Sequence, residues 1–145
     1  MNAGMAVTAA EPSGLWGLLK ESFAGSAELT HAAADPNASP LIKAVVADFM
    51  TADGRATARD GLKAEFANSQ PAEIKTKAIE SLRQVATVLA AKAPDDAAAF
   101  KTWLRQIGQK TAEAASEGGS LFGGGIQVSD AEKATLGEIS SALGI

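Results

Sequence analysis

Residues 70–94 read QPAEIKTKAIESLRQVATVLAAKAP, and this stretch decides the fold class. Ile74, Ala78, Leu82, Val85 and Leu89 recur at three- and four-residue steps, which lines one face of an α-helix; a strand would alternate at every second residue. Pro71 suits a first helical turn, where its missing N–H is not needed. Ala93-Pro94 stops the run, because the residue before a proline is pushed out of the helical region.

The same reading extends in both directions. Upstream, Asp35-Pro36-Asn37-Ala38 is a turn by composition, and Ser39-Pro40 supplies an N-cap oxygen and a pre-set first helical residue. From there to about Ala52, Leu41, Val45 and Phe49 run beside Ile42, Val46 and Met50, two adjacent rows that predict a central helix. Asp53-Gly54 predicts an interruption, and Ala58, Leu62 and Phe66 a shorter helix after it. Downstream, Asp95 or Asp96 is expected to cap a helix whose core face is Phe100, Trp103, Leu104, Ile107, Thr111 and Ala115, with Gly118-Gly119 ending it. Ser129-Asp130-Ala131-Glu132 has the form of a capping box and opens a last helix with Leu136, Ile139 and Leu143 inward. A first helix from Ser13 would carry Leu15, Trp16, Leu19, Phe23 and Ala27. Residues 1–12 read as a flexible leader and 13–145 as a single helical domain. The expected architecture is all-α, a compact antiparallel bundle of five to six helices.

Composition narrows the function. Of the 145 residues 32 are alanine, so an alanine-rich core with closely approaching helices is expected. The 13 basic and 17 acidic side chains give a net charge of −4, without the basic excess of a nucleic-acid binder. Absence of cysteine excludes disulfides, thiolate metal sites and cysteine nucleophiles, and fits a reducing compartment. No Lys or Arg precedes the short apolar run within Met1–Ala10, as a secretory signal would require, and no run reaches about 18 apolar residues, as a membrane span would. The expected location is the cytoplasm.

Few residues point to chemistry. Glu28 and His31 form a Glu-x-x-His pair on one helical face, half of a di-iron carboxylate site; the competing reading is an exposed histidine near a helix end. His31 is the only histidine, and nothing marks a serine partner for it. Asp48, Asp53, Asp60, Glu65 and Glu73 could in principle supply carboxylate catalysis, yet no spacing selects two of them. No enzymatic activity and no cofactor are therefore expected. Arg55, Arg59 and Lys63 form a basic stripe that reads as a solvated face.

The most distinctive local segment is Glu117 to Val128, five glycines around Leu121 and Phe122. It lacks the Lys and Ser or Thr of a phosphate-binding loop, since Gly124 and Gly125 stand in their places. Leu121 and Phe122 either plug the bundle or contact a partner, and exchanging both for serine separates the two roles. Trp16, in Leu15-Trp16-Gly17-Leu18-Leu19-Lys20, is a further contact candidate through core packing or an oligomer seam. Contact with a membrane is disfavoured because this segment lacks a basic polar face.

Three stretches resemble a set of small uncharacterised bacterial all-helical proteins: Phe100-Lys101-Thr102-Trp103-Leu104, Ala112 to Gly119, and Val128-Ser129-Asp130-Ala131-Glu132-Lys133. The resemblance covers about the last third of the chain and implies bacterial origin and an all-helical fold, with no assigned activity. Val128 to Ile139 and the Ala52-Asp53-Gly54 turn are similar to the tellurite-resistance B family. That family has acidic loops with Asp-Gly before the capping residue, where this chain has Gly124-Gly125, so no metal site is carried over. The sequence thus leads to a non-catalytic bundle that acts by contact with itself as a homo-oligomer or with another protein. The alternatives are a small-molecule or metal-binding stress protein with Glu28 and His31 at the rim of a pocket, and a membrane-surface accessory protein.

Overall fold

The computed structural model describes residues 27, 29–119 and 128–145, and every element among them is a helix. We number these α1 (29–34), α2 (Pro40–Met50), α3 (Ala52–Glu65), α4 (Pro71–Lys92), α5 (Pro94–Gly119) and α6 (Asp130–Leu143). The fold is an all-α bundle. Helices α4, α5 and α6 pack against one another in all three pairings, while α2 leans on α5 and pairs with α3.

Local chemistry sets the boundaries. Ser39 caps α2 by accepting the Ile42 N–H, and proline follows it in the first turn. Thr51 ends α2 and begins α3: its extended backbone breaks the helix, its hydroxyl donates to the Asp48 carbonyl at 2.7 Å, and the same oxygen accepts the Gly54 N–H at 2.9 Å. At α4 the Glu73 carboxylate accepts the Gln70 N–H at 2.7 Å. At α6 the capping box forms as read: Ser129 Oγ accepts the Glu132 N–H, and the Glu132 carboxylate accepts the Ser129 N–H at 2.8 Å. Gly144, in the left-handed region at φ 69°, closes that helix.

The core follows the apolar stripes. Ala78, Leu82 and Leu89 of α4 meet Phe100, Trp103, Leu104 and Ile107 of α5 and Leu136, Ile139 and Leu143 of α6, all buried. Phe100 and Trp103 stack edge to face with ring centroids 5.3 Å apart. Thr111 and Thr135 enter this core because each hydroxyl donates back to a carbonyl of its own helix, of Ile107 and Ala131 respectively. Ala32, Ala78, Ala112 and Ala142 lie among these larger side chains.

Several local expectations change. The break falls at Thr51, and Asp53 and Gly54 lie inside the first turn of α3. Helix α5 begins at Pro94, so Asp95 and Asp96 stand in its first turn as dipole-complementing acids instead of capping it, and Gly118 and Gly119 are its last two residues. Among the described residues helix α2 is peripheral, not central, packing on α3 and α5. Its apolar arc spans about half its circumference at 100° per residue, and the bundle covers only the middle: Ile42 and Val46 are buried, whereas Val45 is 38% and Met50 49% exposed.

Candidate functional site

The longest-range pairing around α2 creates a groove. One bank is built by α1 and the turn after it, from His31 to Ser39; the other is the first half of α5, from Ala98 to Gln106, and the space between them is about 750 Å³. Hydrogen bonds fix the turn: the Asp35 carboxylate accepts the Asn37 N–H at 2.8 Å, the Asp35 N–H donates to the His31 carbonyl at 3.0 Å, and Lys43 Nζ donates to the Pro36 carbonyl at 2.7 Å. Ala32, Ile42 and Trp103, the buried members of the lining, form its floor. His31, Asp35, Asn37, Thr102 and Gln106 are exposed around them. Among the described residues of the lining there is no Lys or Arg.

Trp103 carries the anomaly of the site. Its ring is 6% exposed, and its Nε1–H is buried without any hydrogen-bond partner. An indole N–H can only donate, and burying such a donor unpaired costs about 1–3 kcal/mol. The reading of position 103 as core is right for the ring and gave no sign of the orphan. The sequence signal is general: a buried tryptophan calls for an acceptor, which spacing alone does not locate.

A second feature is the rim of the α2–α3 hairpin. Val45 and Met50 are exposed there, with Leu41 and Phe49 of α2 and Leu62 of α3 half-buried. Phe66, just past the end of α3, reaches the main core.

The predicted site residues scatter. His31 is exposed and borders the groove. Glu28, Trp16, Leu121 and Phe122 lie outside the described residues, as do the leader and residues 120–127 of the glycine-rich stretch. Among the described residues no three His, Cys, Asp or Glu side chains come together to hold a metal ion. Of the carboxylates considered for acid–base work, Glu73 is engaged by the Gln70 backbone and Asp60 pairs with Arg59 at 3.2 Å on the surface. Arg55 donates to the Met50 carbonyl at the hairpin turn, so the basic stripe is partly spent on structure. Glu113 has its carboxyl held below the usual range by hydrogen bonds from Gln109 and Lys110, each 3.0 Å long, and by the charge of Lys110, with burial opposing. It faces no nucleophile or partner acid among these contacts.

No helix among the described residues is long and apolar enough to cross a membrane. No protein-family model matches the chain, and comparisons with curated proteins and with solved structures find no match.

Proposed function

We propose that this chain is a non-catalytic bacterial bundle of the cytoplasm that acts by protein contact, its first partner being a second copy of itself. The observation that carries this reading is the apolar arc of α2, wider than the strip its own bundle covers, with Val45 and Met50 left in solvent. A single exposed apolar side chain is ordinary; on this outlying hairpin both flanks of α2 are left uncovered, Val45 beside half-buried Leu41 on one and Met50 on the other, and exposed apolar surface of this kind supports a contact role. Self-association is favoured because most soluble oligomers are homo-oligomers in which one patch meets its own copy. By sequence, Leu121, Phe122 and Trp16 remain candidates for the same contact.

Photo-crosslinking tests it. A benzophenone side chain introduced at Val45 is expected to yield a covalent dimer on irradiation, and the same group at Thr87, exposed on α4, is expected to yield none. Equal yields at both positions, or none at Val45, overturn the reading. Small-molecule binding is a second reading, which the groove beside Trp103 favours.

A further inference from the structure

We propose that the groove between α1 and α5 binds a small, flat, uncharged molecule carrying one hydrogen-bond acceptor, and that this acceptor pairs with Trp103 Nε1. The proposal is independent of the contact reading and uses different residues.

Size, shape and charge select the ligand class. A space of about 750 Å³ lies within the range typical of ligand sites, roughly 300–1,000 Å³. Alanines belong to both banks, Ala34 and Ala38 to one and Ala98 and Ala99 to the other, leaving room that larger side chains would fill; two such small-residue walls suit a flat ring. Without Lys or Arg among the described residues of the lining an anion has no fixed counter-charge, and the one carboxylate among them, Asp35, already accepts from the Asn37 N–H. An apolar floor with polar groups only around the edge therefore suits an uncharged ring system.

The orphan donor sets the remaining requirement. Trp103 is buried at that floor, and its N–H has no acceptor among the described residues. A ligand carbonyl or ether oxygen is the complement, because indole offers a donor and no acceptor. Nε1 is sealed from water, so pairing entails a tilt of the indole toward the groove as the ligand seats, and a measurement at the N–H itself reads that step.

1-Indanone and indane, which differ by one carbonyl, are suitable probes for the full-length chain. The two tryptophans, Trp16 and Trp103, give two indole N–H signals in a ¹⁵N-labelled sample, and Trp103→Phe assigns them. We expect 1-indanone to move the Trp103 signal downfield and to bind about five-fold more tightly than indane, the difference one neutral hydrogen bond makes. Ala99→Leu, at an exposed position on the groove wall, should weaken both probes without lowering the melting temperature. Equal binding of the two probes with an unmoved Trp103 signal overturns the proposal, and so does binding indifferent to Ala99→Leu. Absence of binding together with nuclear Overhauser contacts from Trp103 to Leu15–Phe23 would show that the chain fills its own groove, and also overturns it.

Discussion

Gly54 and Gly61 belong to the same helix and are predicted to answer alanine with opposite signs. A Cβ on Gly54 would sit 2.0 Å from the Asp48 carbonyl oxygen, a backbone atom that cannot step aside, whereas one on Gly61 would meet nothing within 4 Å. Gly54→Ala should therefore destabilise by about 1–3 kcal/mol through overpacking, and Gly61→Ala should stabilise by about 0.5–1 kcal/mol by restricting the unfolded chain, both read from urea unfolding. In the sequence Asp53-Gly54 looks like a helix breaker. The structure uses Gly54 for close approach inside a helix and gives the break to Thr51, a distinction that depends on the neighbouring turn. Glu113 provides a second test at this scale. Its folded pKa lies below its unfolded value, chiefly through the Gln109 hydrogen bond, so its stabilising contribution is present above the unfolded value and is lost as pH falls through the folded one. Gln109→Ala should raise the Glu113 pKa in a carboxyl NMR titration and make the acid limb of stability against pH shallower.

At the scale of elements, helix existence and core faces were legible, because three- and four-residue spacing and capping chemistry are local. The α6 capping box illustrates this: Glu132 is 3% exposed and accepts both the N–H and the hydroxyl of Ser129. Ser129→Ala should cost about 1–2 kcal/mol, measured by urea unfolding, since it removes a cap acceptor and a donor to a buried carboxylate. The rank of each helix in the bundle was not legible. The rows on α2 show which side of the helix is apolar, and only the tertiary partners decide how much of it is covered. Helix α3, whose main neighbour is α2 and whose only buried residue is Gly54, is accordingly expected to open more readily than α4 or α6. Amide exchange should be faster throughout Ala52–Glu65 than in α4 or α6, because local opening there breaks few apolar contacts. Uniform protection across the three helices would contradict this hierarchy.

At the scale of the whole molecule, the architecture emerged from the sequence and the site largely did not. The groove joins residues from His31 to Gln106, and its alanine walls and orphan indole have no local signature. Sequence reasoning puts Glu28 and His31 at the rim of a pocket because of their Glu-x-x-His spacing; of the two only His31 lies among the described residues, and it borders the groove. The central claim is self-contact through the α2–α3 hairpin. Its most direct test is the mass by sedimentation equilibrium, over rising concentration, of the native chain and of Val45→Lys/Met50→Lys, two changes at exposed positions. The account predicts that the native chain passes from monomer to dimer while the double variant stays monomeric with the same helical circular dichroism. A native chain that remains monomeric up to millimolar concentration, or a double variant that dimerises equally well, would contradict it.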